Sequence, residues 1–173
     1  FPLLLPLLDQ PCPVERMSAV YALGRNPCPS AVQKLVSLLK TDDNAYVRRA
    51  TAWSLANYDN QIVLEPLINA LKNDVAAVRL WSSSSLAEIG NVSLENAQLA
   101  AEQLLISLKI DNESGVRSNC IWSLCRLYEK LNNIFQESFV DECTKIALFD
   151  KEPSVMEEAK TALDSMGMQG FYN

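Results

Sequence analysis

Five times along the chain, an apolar position, an arginine one residue later, and small residues at plus four and plus seven lead to a leucine at plus eight. The clearest copy starts at Val47 and continues through Arg48, Thr51, Ser54 and Leu55. A second runs Val78, Arg79, Ser82, Ser85 and Leu86, and a third Val116, Arg117, Cys120, Ser123 and Leu124. The outer copies deviate. Glu15 holds the apolar slot before Arg16, Ala19, Ala22 and Leu23, and Met156 holds the arginine slot after Val155 and before Ala159, Ala162 and Leu163. At about 100° per residue these slots fall on one helix face, so each copy predicts a helix whose small residues admit a close neighbour. A second amphipathic stretch precedes each of the last four copies, at 31–39, 62–71, 97–108 and 139–148, and acidic turns such as Asp42-Asp43-Asn44 join the two. The leucines stand 32, 31, 38 and 39 residues apart, the period of an α-solenoid. The register predicts an all-α fold of five stacked, right-handed helical hairpins with no sheet. No such hairpin buries its apolar face alone.

The run Val47-Arg48-Arg49-Ala50-Thr51-Ala52-Trp53-Ser54-Leu55, with Ala22-Leu23-Gly24, Val78-Arg79 and Val116-Arg117, resembles the HEAT-like repeat of cyanobacterial phycobilin lyase subunits and their relatives. The resemblance covers essentially residues 1–167 and implies HEAT-like hairpins near 1–27, 28–60, 61–91, 92–133 and 134–168. At 173 residues a single repeat domain over 1–173 is expected.

Phe1-Pro2-Leu3-Leu4-Leu5-Pro6-Leu7-Leu8 reads as the first helix of the first hairpin, bent or delayed by Pro6. It has no basic flank and is too short to span a bilayer. Since the chain opens inside a repeat, further sequence is expected ahead of it. Gly24 and Gly90 are placed to end the helices before them, Gly167 ends the last, and Gly170–Asn173 forms a tail. The two wide leucine spacings are assigned to the connector 91–95 and to a helix extended through 126–130.

Charge narrows the partners. A net charge of −6 argues against duplex nucleic acid, whose phosphates need a basic footprint. Residues 1–126 hold 12 acidic and 11 basic side chains, but 127–173 hold 9 and 4, so the last repeat reads as a solvated cap. Histidine is absent, which removes Ser-His and Cys-His pairs and histidine metal ligands. No glycine-rich phosphate loop is present either. Neither a catalytic residue nor a metal ligand is assigned, and the chain is expected not to be an enzyme on its own.

Five cysteines without a secretory signal fit a reducing, cytoplasmic setting. Cys120 and Cys143 read as small core hydrophobes. Cys12 and Cys28 lie in proline-flanked connectors and are expected to be the reactive pair, since connectors are exposed.

The arginines divide into two sets. Those at plus one (Arg16, Arg48, Arg79, Arg117) have acidic residues upstream and read mainly as structural ion pairs between repeats. A second stripe points away from the core: Tyr21, Trp53 and Trp122 at plus six, Arg25, Arg49 and Arg126 at plus two or ten, and Trp81 at its edge. In the families this sequence resembles, second helices line the concave surface, so the stripe would floor a groove. Its aromatics could equally pack sideways between second helices.

The leading reading is a non-catalytic scaffold that binds a protein partner in that groove through Tyr21, Arg25, Arg49, Trp53, Trp81, Trp122 and Arg126, with no cofactor of its own. The alternative, implied by the resemblance, is one subunit of a heterodimeric phycobilin lyase. There a second HEAT subunit or a phycobiliprotein would be the partner, and the arginines would meet the propionates of a bound bilin. A third is an adaptor in iron–sulfur or cofactor assembly, which would need exposed cysteines.

Overall fold

The computed structural model describes residues 2–168; Phe1 and the tail Gly170–Asn173 lie outside the described residues. Within them are nine α-helices and no strand: α1 Pro13–Arg25, α2 Val32–Thr41, α3 Ala45–Leu55, α4 Leu64–Asn73, α5 Ala76–Gly90, α6 Leu94–Ile110, α7 Ser114–Leu127, α8 Asn133–Phe149 and α9 Pro153–Ser165. Helix starts follow local chemistry. Asn44 accepts from the Tyr46 and Val47 amides, Ser93 from Asn96, and Asn132 from Phe135, each relieving an orphan donor of a first turn. Pro13 and Pro153 sit where a missing N–H costs nothing. No described helix is long and apolar enough to cross a membrane.

The chain divides into two compact units, Phe1–Ile89 and Gly90–Asn173. In the first, α1 packs on α3 and α2 on both α3 and α4; in the second, α6 packs on α7 and α8, and α9 on α7 and α8. First helices therefore stack on first helices and second on second, the arrangement of an all-α solenoid. The zero, four, seven and eight slots are buried as the register requires, from Val47, Thr51, Ser54 and Leu55 to Val155, Ala159, Ala162 and Leu163. The small hydroxyls are met unevenly: Ser85 Oγ donates across helices to the Ala52 carbonyl at 2.7 Å, Thr51 Oγ1 donates within α3 to the Val47 carbonyl, and Ser54 Oγ and Ser82 Oγ are buried without a partner among the described residues. Glu15, in the irregular first copy, is exposed.

Several local expectations are corrected. Leu5–Asp9 is a single 3-10 turn, not a first helix, because Pro6 falls within it. The helix after Leu124 stops at Leu127; a 3-10 turn at Tyr128–Lys130 and a long α8 take up the added length. Gly90 is the last residue of α5 and Gly24 the next to last of α1, so both stand at helix ends, but neither has the positive φ of a left-handed cap. A side chain at Gly24 would place Cβ 2.4 Å from Trp53 Cζ3, and at Gly90 about 3.1 Å from the Leu127 methyls. Both are close-approach glycines. Gly167 caps α9 in the left-handed conformation, unlike any other described glycine: at φ 74° it donates to the Asp164 carbonyl, while Met168 N–H reaches Leu163 O at 2.8 Å.

Candidate partner-binding surface

Arginine geometry separates structure from surface. In the first unit, Arg16 Nε and Nη2 grip Asp42 at 2.8 and 3.0 Å, while Nη1 donates to the Gln10 and Pro11 carbonyls. Arg48 repeats this on Asp74, at 3.0 and 2.9 Å, with Nη1 on the Asp42 carbonyl. In the second unit Arg117 holds Asp150 at 3.0 and 2.8 Å, with Nη1 on Asp111 O and Asn112 O. The sequence pointed to upstream carboxylates. Instead, each of these guanidiniums takes backbone carbonyls from the upstream turn and the carboxylate from the next repeat's turn. The fork suits this, since five fixed donors divide between a bidentate acid and a helix end. Arg79 likewise donates to the Asp74 carbonyl at 2.9 Å.

Burial works to raise the Asp42 carboxyl, but Arg16, the Asn44 amide and the guanidinium charge together hold it below the usual carboxylate range. Asp150 is held down in the same way against its burial, by Arg117, the Glu152 amide and Lys151. These arginines are committed to stacking the repeats.

The predicted stripe has a different chemistry. On α1 and α3, Tyr21 and Trp53 meet in a tilted pair with ring centroids 5.5 Å apart and planes at 54°. Trp53 lies against Gly24, so the tryptophan is half-buried in the sideways packing between second helices. Arg25, exposed, lies 6.0 Å over the Tyr21 ring. The structure thus brings Tyr21, Arg25 and Trp53 together.

Arg49 was expected to serve Trp53. It lies instead 5.5 Å over Tyr46, one turn earlier, because helical side chains lean toward the N-terminus. Its Nε is buried without an acceptor. Tyr46 is the residue that sequence reasoning missed; its signal was the three-residue step to Arg49. Trp81 stands exposed on α5 with no ring or cation stacked on it among the described residues. In the second unit, Arg126 sits 5.0 Å over Trp122, whose surface is 45% exposed.

One more expectation changes. Cys28 is buried, not exposed: the Tyr58 hydroxyl accepts from its N–H and donates to the Leu23 carbonyl, roofing the connector. Cys12 is exposed. Burial pushes the Cys120 and Cys143 thiols far up, and Cys125 up to about 11. These groups are inert as nucleophiles near neutral pH.

The family model for HEAT repeats matches residues 1–87 and again 33–125. The chain belongs to the HEAT-repeat family. The structures most similar to this HEAT array include a complex of CpcE and CpcF of phycocyanin lyase from Nostoc sp., at 23% identity and a TM-score of 0.69, covering 93% of this chain and 96% of that one. A designed armadillo repeat protein in complex with the peptide (KR)4 matches at 20% identity and a TM-score of 0.65, over 98% and 89%. An engineered protein matches at 24% and 0.68, over 93% and 78%. At these identities the likeness shows the fold. No curated protein sequence matches the chain.

Proposed function

We propose that the chain is a non-catalytic HEAT scaffold that docks a protein partner on the second-helix surface of its first unit, through Tyr21, Arg25, Tyr46, Arg49 and Trp53. One observation carries the reading: Arg25 and Arg49 lie over tyrosine rings with no carboxylate partner among the described residues, while Arg16 and Arg48 on the same helices are paired with Asp42 and Asp74. A buried Nε left without an acceptor is costly, and a partner carboxylate would relieve that cost by drawing the Arg49 guanidinium outward. Interfaces favour Tyr, Trp and Arg for the area they bury and their directed donors. The Trp122–Arg126 pair is a second candidate contact of the same chemistry, and Trp81 a third, both assigned from sequence.

The test replaces Tyr46 by a photo-crosslinking residue, identifies the captured protein, and measures its affinity for Arg25→Ala and Arg49→Ala chains. Losses of more than about 1.4 kcal/mol, tenfold, with an unchanged unfolding midpoint support the reading. Retained affinity with a displaced midpoint makes the stripe a packing element.

A second reading follows from the likeness to the CpcE–CpcF complex: the same arginines suit the propionates of a linear tetrapyrrole. Addition of a phycobilin to the pure protein separates the two. A structured, red-shifted band that Arg49→Ala abolishes favours bilin binding.

A further inference from the structure

One edge of the second unit carries side chains that the fold does not require. Ile110 ends α6 and Phe149 ends α8, and both stay open to solvent, at 72% and 79% of their surface. They line one groove of about 410 Å³, together with Ile146 and the Arg117–Asp150 pair. Lys109, Lys145 and Lys151 line it too, as do Asp111 and Glu142, and none of the three lysines has a carboxylate within salt-bridge reach among the described residues. Gly90–Asn173 holds 13 acidic side chains and only 7 basic ones. Four of those seven, Arg117 and the three lysines, line this one groove, against three of the thirteen acids, Asp111, Glu142 and Asp150.

The first unit contains the same groove built differently. There about 580 Å³ lies beside the Arg48–Asp74 pair, lined by Lys40, Asn69, Asn73 and Val75. Aligned on the Arg–Asp pairs, Thr41 and Asn73 stand where the second unit has Ile110 and Phe149. Asn69 and Val75 stand where it has Lys145 and Lys151. Hairpin stacking is therefore complete with polar residues at the apolar positions and without the added lysines. A large aromatic left in water, with lysines outside salt-bridge reach outnumbering the two carboxylates, Asp111 and Glu142, that lie beyond the Arg117–Asp150 pair, is the composition of an interface centre with a charged rim.

We propose that the groove at the ends of α6 and α8 docks an acidic, apolar-faced peptide segment of a partner protein. Phe149 and Ile110 take its apolar side chains, and Lys109, Lys145 and Lys151 meet its carboxylates. Rim lysines of this kind speed encounter and exclude basic segments, so association slows as salt rises. The test is selection of a displayed random-peptide library against the whole chain, with counter-selection against the Phe149→Asp chain. Retained peptides are expected to combine Asp or Glu with large apolar residues. A labelled synthetic copy of the dominant peptide should lose tenfold or more in affinity on Phe149→Ala and on Lys145→Glu, and none on Lys72→Glu, a control lysine on α4. Both test side chains are exposed, so thermal midpoints should stay within a degree or so of the parent. Basic or uncharged peptides, or a selection without any Phe149-dependent binder, would overturn the proposal. So would sedimentation showing a dimer that Phe149→Asp dissolves, since a second copy would then be the occupant.

Discussion

Replacing Asp150 by alanine would strip the Arg117 guanidinium of the acceptors for Nε and Nη2 and leave only two backbone carbonyls on Nη1. The side chains of the pair are 7% and 9% exposed, so water cannot restore the lost bonds without opening the interface between α7 and α9. Removing one partner of a buried pair costs about 3–5 kcal/mol, and the remaining carbonyl bonds place Asp150→Ala near the lower end. Arg117→Met removes the cation but retains most of the stem's packing. The double variant Arg117→Met/Asp150→Ala should cost no more than either single change, a coupling of about 2–3 kcal/mol. Urea unfolding followed by far-ultraviolet circular dichroism measures all three against the parent. Lys160→Ala, at the exposed Lys160–Glu157 pair, serves as a comparator expected to lie within about 0.5 kcal/mol of the parent. An Asp150→Ala cost below about 1 kcal/mol, or single effects that add to the double within about 0.5 kcal/mol, would refute the forward-pairing account.

Acid should weaken the fold through the same pairs. The Asp42 and Asp150 carboxyls are depressed in the folded state, so their contribution is full above the unfolded value near 4 and is lost as pH falls through the folded values. Urea midpoints measured from pH 6 to pH 3 check this, and Asp42→Asn should flatten the acid limb; an unaltered limb contradicts it. Gly24→Ala forces Trp53 aside and should cost about 1–3 kcal/mol despite alanine's helix propensity, with a shift in tryptophan emission. A stabilised variant would mean that the ring accommodates a methyl. Ser85→Leu overfills a slot that is 3% exposed and deletes the bond to Ala52, so a loss of about 2 kcal/mol or more in thermal or urea unfolding is expected. Under native conditions alkylation should reach Cys12 well before Cys28, Cys120 or Cys143. Early labelling of Cys120, read by peptide mapping, would contradict the register.

The repeat register was legible because it depends on local spacing alone: Val47, Thr51, Ser54 and Leu55 must share a face wherever a neighbour lies. The direction of the arginine pairing was not. Acidic residues flank Arg48 on both sides, and only stacking decides that Asp42 offers its carbonyl and Asp74 its carboxylate. The close approach at Gly24 was hidden for the same reason, since the ring that requires it arrives 29 residues later, at Trp53. Cys28 looked exposed because its own segment is a connector; the roof over it, Tyr58, comes 30 residues later, from the far end of the same hairpin. Arg49 is a different case. Its turn toward Tyr46 was readable from the lean of helical side chains, but the larger tryptophan drew the assignment.

The forward-reaching pairs impose an order in time as well as in space. Arg16 precedes Asp42 by 26 residues, Arg48 precedes Asp74 by 26, and Arg117 precedes Asp150 by 33. At about 5–20 residues per second of synthesis, each cation emerges on the order of seconds before its acid. During that interval the newest repeat is unlatched, and the tip of the nascent chain bears a hydrated positive charge close to a polyanionic ribosome. Emergence of the next acidic turn then closes each latch behind the growing end. Assembly from the N-terminus is therefore written into the order of two residue types.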